Sequence, residues 1–547
     1  MSLDWLYSTC QRATFSPSFL GTKILAVETS VAVNYTYPVP EQLQFIRPVA
    51  ELGPITFCNV TVIYTHPGRN DRVGAEVWLP AKNQWNNRFQ GVGGGGWGAG
   101  RFASSYMPMV DAVAEGYATV TTDAGLPDQF FLEAWALPSP ENVDLFLLEN
   151  FAHRALNEAA EIGKSLVGSF YGQNASYSYF NGCSQGGRQG LSLAQRYPTA
   201  YDGIAASAPA IHLPEFVPMI HWPQQVMNQI GSYPSGCELD AITNATIEYC
   251  DELDGIKDGV ISNVDQCFET FNPYTMVGKS VKCNQTGDTI IQVSKEAAKV
   301  VNASWAGVTS HNDNILWRGY RPGSDLSGNL EKIGQGMACT NCTVDGCKGC
   351  PNPLGISYFV TLLAKDLGFD LSSMSQSQFE YFFRLGQQEY ESLLATNNPD
   401  LSRFHEAGGK MVTFHGLADQ FIPDHGTRLY YENVMKMMST IDSSVEVQDF
   451  WRYFPVPGVA HCQGGPGGRP EKLFEQLRDW VEEGIAPDSS PVSFEHSGQV
   501  YHRIACPYPQ DATYDSHCGD PTIEKCWSCT DRGKGHAKSS YAHQEIL

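Results

Sequence analysis

Apolar residues along the chain fall into short runs and spaced patterns that predict alternating strands and helices. Residues 56–65 are rich in Thr, Val, Ile, Phe and Tyr, and residues 73–79 and 117–123 continue that character. β-Branched and aromatic runs bounded by Gly, Pro or Asp predict strands. Residues 152–171 space their apolar side chains three and four positions apart, which predicts a helix with one buried face. A short strand is expected at Tyr177–Asn181, then a glycine-flanked turn, then a helix to about Arg196. Alternation of this kind predicts an α/β fold, a parallel sheet covered on both faces.

The pattern changes between about 210 and 408. Cysteines cluster there, a Gly/Asp-rich loop appears, and residues 355–395 have amphipathic helical spacing. A buried strand resumes at 409–414, followed by a glycine loop at Gly464–Gly468 and a helix at Glu471–Glu483. The expected organisation is therefore a core domain begun by residues 1–209, an inserted lid at 210–408, and the rest of the core at 409–547 with a cysteine-rich C-terminal extension.

Composition narrows the function. The 547 residues are 42% hydrophobic and 17% charged, ample for a large packed core. The net charge of −23 repels phosphate backbones and anionic lipid, which argues against a nucleic-acid or membrane partner. No run of 18 apolar residues occurs. Sixteen cysteines suit an oxidising compartment, and bridges are expected at Cys10, Cys58, Cys250, Cys267, Cys506 and Cys526. Cys250 with Cys267 and Cys506 with Cys526 have spacings that suit local pairs. Glycosylation-type sequons begin at Asn34, Asn59, Asn174, Asn244, Asn284, Asn302 and Asn341. The expected location is secreted. Met1-Ser-Leu-Asp-Trp5 lacks the basic and apolar regions of a leader, so a trimmed leader is expected.

The candidate chemistry starts at Gly182-Cys183-Ser184-Gln185-Gly186, a G-x-S-x-G turn between a predicted strand and a predicted helix. Such a turn is crowded, exposes the serine hydroxyl, and aims a helix N-terminus at a developing oxyanion. The alternative is a glycine-tight structural turn. A nucleophile of this kind needs an acid and then a histidine later in the chain. Asp419 follows the strand ending at Phe414, and His461 lies in a loop before the last predicted helix. The histidine takes and returns the serine proton while the carboxylate fixes its tautomer. Asp424 and Asp449 are the fallback acids. Cys183 precedes the serine and Cys462 follows the histidine. If Ser184 and His461 touch, their neighbours come within disulfide reach, and a Cys183–Cys462 bridge is expected.

Gly182-Cys-Ser-Gln-Gly-Gly-Arg188, His415-Gly-Leu-Ala-Asp-Gln-Phe-Ile-Pro423 and Gly458-Val-Ala-His-Cys462 together resemble the tannase and feruloyl esterase family. So do Cys58-Asn-Val-Thr-Val62 and Gly93-Gly-Gly-Gly-Trp97. The resemblance implies an α/β-hydrolase core with a large lid. It also implies a serine-esterase mechanism acting on phenolic esters, such as hydroxycinnamates or gallates, or on esterified cell-wall polysaccharide. The second reading is an acyltransferase with the same residues. The third is an inactive, calcium-stabilised binding protein.

Two further segments carry candidate chemistry. Gly91-Val-Gly-Gly-Gly-Gly96 satisfies G-x-G-x-x-G, but no helix follows within it, so an oxyanion loop is preferred to a dinucleotide site. The N–H groups of Gly95 and Gln185 are the expected donors. In Cys250–Ile261, Asp251, Asp254 and Asp258 recur at three- and four-residue spacing beside two glycines. With the carbonyls of Ile256 and Val260 they are expected to hold a structural Ca²⁺, a hard cation that takes oxygen ligands. Cys339, Cys342, Cys347 and Cys350 form two C-x₂-C pairs too close together for a zinc ribbon, and disulfides are preferred there.

Overall fold

Central strands form where apolar runs can be buried on both faces. In the computed structural model, which describes residues 2–40, 49–127, 130–329, 336–343 and 346–531, nine strands make one sheet. They are β1 (Lys23–Pro38), β2 (Glu51–Thr65), β3 (Val73–Pro80), β4 (Arg88–Val92), β5 (Ala118–Thr122), β6 (Tyr177–Cys183), β7 (Gly203–Ser207), β8 (Lys410–Gly416) and β9 (Trp451–Val456). Their order is β1-β2-β3-β5-β4-β6-β7-β8-β9. The first three pairings are antiparallel and the other five parallel. β3, β5 and β7 are buried along their whole length, which is why their sequences read as continuous runs rather than alternations.

Six helices matter for the site: α1 (Ala103–Ala114), α2 (Ala155–Tyr171), α3 (Gln185–Arg196), α4 (Leu213–Ile230), α5 (Gln376–Leu394) and α6 (Leu473–Glu483). Ile162 and Leu166 of α2 join Phe89, Val120 and Phe180 in a core on one face of the sheet. On the other face, Leu477 and Trp480 of α6 pack with Tyr179, Ala205 and Val412, and Met109 and Val110 of α1 pack with Trp78. Trp78, Thr119, Gln90 and Tyr179 stand side by side in register across four strands, so α1 and α6 share that face.

β7 and β8 are adjacent parallel strands, with Gly203 opposite Lys410, and the segment expected to be a lid runs between them. Its first helix, α4, is buried at every position from Leu213 to Met227. A helix apolar or buried all round belongs to a core, not a surface. Pro218 and Pro223 sit inside it, which hides it from a propensity reading. The amphipathic stretch at 355–395 is two helices rather than one. Pro353–Tyr358 runs into a π turn at Phe359–Leu363, and α5 follows after a break. Tyr358 and Phe359 are fully buried and Phe382 nearly so, as core residues, whereas Tyr381 is 60% exposed.

The sixteen cysteines form eight disulfides. Cys10–Cys58 and Cys250–Cys267 pair with each other. The expected Cys506–Cys526 pairing is corrected: Cys506 joins Cys529, and Cys526 joins Cys518. The strands Gln510–Tyr514 and Trp527–Asp531 pair with Ala512 opposite Cys529, which carries Cys529 back toward Cys506. Separations of 20 and 23 residues could not be told apart by spacing. In the lid, Thr340–Thr343 and Gly346–Gly349 form a hairpin with Cys342 opposite Cys347, bridged, and Cys339–Cys350 closes its base. The sequon asparagines are exposed except Asn59, which lies half-buried in β2 with its amide on Glu76 at 3.2 Å.

Candidate active site

Backbone geometry fixes the position of Ser184, the candidate nucleophile. Ser184 follows β6, caps the N-terminus of α3, and adopts φ 64°, ψ −123°. That region is strained for any residue with a Cβ, and such strain concentrates at functional sites. The turn is possible only because its flanks lack side chains. A Cβ on Gly182 would lie 2.5 Å from the Gly186 carbonyl, and one on Gly187 2.2 Å from the Ser207 carbonyl oxygen. The Ser184 N–H donates to Ser207 O at 3.0 Å, tying the turn to the end of β7. The first turn of α3 leaves the Gln185 N–H without an intrahelical acceptor.

The candidate acid and base, Asp419 and His461, are bonded to each other from separate loops. Asp419 follows β8, and its Oδ1 accepts from the N–H groups of Phe421 and Ile422, each at 2.8 Å. Its Oδ2 lies 2.8 Å from His461 Nδ1. The loop is held from a second side by Gln420, whose Oε1 accepts from the His461 N–H at 3.0 Å. Asp419 is fully enclosed. Burial alone would raise its pKa, but the charge of His461 and bonds from His415 and His461 hold it far below the usual carboxylate range. Asp424, a fallback acid, is bonded to Arg321 at 2.7 Å and 3.1 Å. Asp449 lies in the turn Val447–Asp449 before β9, where its carbonyl accepts from Lys410.

Ser184, Gln185 and His461 line one cavity, and Cys183 is bonded to Cys462. Most of its wall is apolar: Trp97, Phe216, Ile220, Leu354, Phe421 and Ile422. A larger cleft of about 720 Å³ lies between the acidic loop and the C-terminal hairpins, and Ser184 is not among its lining residues. Size therefore does not mark the reactive space here.

The glycine tract reaches this cavity. Gly93 and Gly94 donate to Asn181 O and Gln189 Oε1 at 3.1 Å and 2.9 Å. Gly95 bridges to Gly98, and it is Gly96, at φ 56°, that lines the cavity with Trp97. Gln189 was not singled out by sequence reasoning. It is fully buried, and its Nε2 donates to Ala99 O at 2.9 Å, so one amide holds both arms of the glycine turn. Trp97 Nε1 donates to Leu354 O at 3.1 Å and ties the turn to the lid.

The bridge joins residues 279 apart, which is worth about 5 kcal/mol in the chain-entropy account. It also locks the loops that carry Ser184 and His461. Replacing both Cys183 and Cys462 by Ala should lower kcat by about a hundredfold, the cost of roughly 1 Å of misplacement at reacting groups. Steady-state kinetics beside a melting curve checks this. Unchanged kcat in the double variant would contradict a positioning role.

The acidic loop departs from a simple surface turn. Asp251 accepts from the N–H groups of Asp258 and Gly259, and Asp258 from that of Val260, so the loop wraps around its own carboxylates. Arg503 lies 2.9 Å from Asp258 Oδ2 and 3.4 Å from Asp254 Oδ2. Even so, Asp258 Oδ2 is buried without a hydrogen bond. Burial pushes Asp258 up to about 7, opposed by Arg503 and aided by the Asp254 and Asp251 charges. Two carboxylates, Asp254 and Asp258, thus face the one guanidinium, while Asp251 is held by backbone N–H groups. Among the described residues no three His, Cys, Asp or Glu side chains are grouped closely enough to hold a metal ion.

Comparison with known proteins agrees with this architecture. The tannin acyl hydrolase from Aspergillus niger superposes with a TM-score of 0.84 at 27% identity, covering 99% of this chain and 98% of that one. Feruloyl esterase B from Aspergillus oryzae gives 0.73 at 25% identity, covering 96% and 100%. The fold is thus α/β-hydrolase-like with a large insertion. A probable feruloyl esterase of Arthroderma benhamiae is 38% identical over 491 residues, covering 88% of this chain and 87% of the relative. Residues 58–529 match the family described as tannase and feruloyl esterase. With a match of that extent around a strained serine, a buried aspartate and a histidine, the chain belongs to the tannase and feruloyl esterase family.

Proposed function

We propose that the protein is a carboxylic ester hydrolase that cleaves phenolic-acid esters through an acyl-enzyme on Ser184. The observation that carries this is that Ser184, in its strained turn, shares one cavity with a histidine already bonded to a buried carboxylate, while the neighbouring Cys183 and Cys462 are joined. Ser184 Oγ attacks the ester carbonyl as His461 takes its proton, forming a tetrahedral oxyanion. The N–H groups of Gln185 and of the glycine turn at Gly95–Gly96 would donate to that oxygen. Collapse expels the alcohol, protonated by His461. Water, activated by the same imidazole, then releases the acid.

The apolar wall bears on the acyl group. A ring with few hydroxyls loses little on entering it, whereas a trihydroxylated ring would leave polar groups unpaired. The expected order of kcat/KM is methyl cinnamate and p-coumarate, then ferulate, then caffeate, then gallate. A panel of these esters, assayed with and without an added acceptor alcohol, tests the class and the use of water. Preference for gallate would overturn the acyl assignment, and dominant transfer to alcohol would favour the acyltransferase reading. The esters act here as small-molecule substrates or as pendant groups on polysaccharide. Eight disulfides and exposed sequons support action outside the cell.

The calcium reading remains part of the proposal. Asp251, Asp254 and Asp258, with the carbonyls of Ile256 and Val260, would hold the ion, and the ion would neutralise the buried carboxylates. None of these residues lines the Ser184 cavity, so chelation should lower the melting temperature more than the rate at mild temperature. Elemental analysis with paired melting curves checks this. Absence of calcium, with a melting temperature unmoved by chelator, would overturn it.

A further inference from the structure

Arg188 is the fourth residue after Ser184, one turn along α3, and it is 1% exposed. Its Nε donates to Gln185 Oε1 at 2.7 Å. Nη1 donates to Ala152 O at 3.0 Å and to Thr396 Oγ1 at 3.3 Å, and Nη2 to Phe151 O at 3.2 Å. Every one of these acceptors is neutral. Among the described residues no carboxylate pairs with Arg188, in contrast to Arg321, which reaches both Asp424 and Asp265. Burial, with the nearby Arg196 charge, pushes Arg188 down to about 9, which leaves it charged at neutral pH.

A buried charge without a counterion is costly, so the fold must supply specific acceptors for it. It does so with an irregularity. The helix before α2 contains a π turn at Asn150–Arg154, and Phe151 and Ala152, whose carbonyls receive Arg188, lie inside it. Such turns widen a helix and change which carbonyls its own N–H groups use, and they recur at functional sites. Arg188, one helical turn after the strained serine, thus joins α3 to the π turn through two carbonyls. Gln185 links Arg188 to that serine: its side chain is gripped by Arg188, and its backbone N–H is one oxyanion donor.

We propose that Arg188 is a positioning residue for ester cleavage, fixing Gln185 and setting a positive potential on the oxyanion side of Ser184. This rests on Ser184 being the nucleophile. The guanidinium adds to the positive end of α3, and both act most strongly when negative charge develops on the substrate oxygen. The effect therefore belongs to the transition state and not to binding of the neutral ester.

The test uses Arg188→Met and Arg188→Lys in the full chain, with an aryl hydroxycinnamate as substrate. Two inhibitors separate the states: an arylboronic acid, which forms an anionic tetrahedral adduct on a serine, and the neutral amide of the substrate acid. Arg188→Met should lose roughly 10–100-fold in kcat, below the cost of deleting an oxyanion donor outright, with KM little changed. Boronate affinity should fall by the same factor while amide affinity holds, and Arg188→Lys should recover part of both. A folded Arg188→Met protein with normal kcat and boronate affinity would overturn the proposal, as would equal losses for boronate and amide. Should Arg188→Met fail to fold, Gln185→Leu removes the grip alone, and unchanged kcat there would also overturn it. Fluorophosphonate labelling of Ser184 in the unaltered protein separates the two failures. Absence of labelling sinks the nucleophile itself, whereas labelling beside unaffected Arg188 variants sinks only this role.

Discussion

Ser184→Ala is expected to lower kcat by about five orders of magnitude and to leave the fold intact. Removing the nucleophile of a triad costs on this scale because serine and histidine act as one unit, and what remains comes from binding and the oxyanion donors. The change deletes one oxygen. It leaves the backbone at φ 64° as strained as before, since alanine also carries a Cβ, and the Ser184 N–H keeps its bond to Ser207. Melting temperature should therefore move little while hydrolysis of an aryl ester all but disappears. A folded Ser184→Ala protein that keeps most of its activity would end the mechanism.

Asp419→Asn should cost about 10⁴-fold in kcat, and the structure says why so small a change does so much. Oδ1 of Asp419 accepts two backbone N–H groups, from Phe421 and Ile422. An asparagine must place its carbonyl oxygen there, which turns its NH₂ toward His461. Nδ1 of His461 then has to accept, so the proton moves to Nε2, the nitrogen that must receive the serine proton. The tautomer is wrong although every heavy atom is in place. Asp419→Ala would test loss of charge and orientation together, and it should be no better. The pH dependence has a definite sign. Because Asp419 has its pKa held below the unfolded value, its contribution to stability is complete above about pH 4. That contribution is lost as pH falls through the depressed native value. The acid limb of the rate profile therefore does not come from Asp419. A neutral-pH kcat within tenfold of the unaltered enzyme in Asp419→Asn would show that another group orients His461.

Much of the site was legible because its constraints are local or paired. Gly182 is demanded by a backbone contact to Gly186 within the same turn, and the cysteines next to Ser184 and His461 report a long-range contact through sequence adjacency. Asp419 could be placed because it follows a buried strand in the required chain order. The supporting contacts were not legible. Gln189 on the glycine turn, Gln420 on the His461 N–H, and the carbonyls of Phe151 and Ala152 are ordinary residues whose roles exist only once distant segments meet. Gly96 lines the cavity while the Gly95 carbonyl accepts from the Gly98 N–H, a division that consecutive glycines do not announce.

The sheet shows the same division. β8, buried at all but its first position, stands out, as does the β-branched and aromatic run of β2, whereas β4 and β7 are five residues each, and β7 is Gly-Ile-Ala-Ala-Ser. Small residues suit the close packing of α3 over β7, but they carry little strand signal. β1 is an edge strand with much of its surface exposed, so burial leaves a weak imprint on its sequence.

The central claim is a covalent acyl-enzyme on Ser184, and intact-mass analysis after a rapid quench tests it most directly. The protein is mixed with an excess of an aryl hydroxycinnamate, quenched in acid during the burst, and digested without reduction. The account predicts one acyl group per chain, carried by the disulfide-linked peptide that contains Ser184 and Cys462, and none in Ser184→Ala. An acyl group on any other residue, or turnover with no trapped acyl-enzyme and no burst, would contradict it.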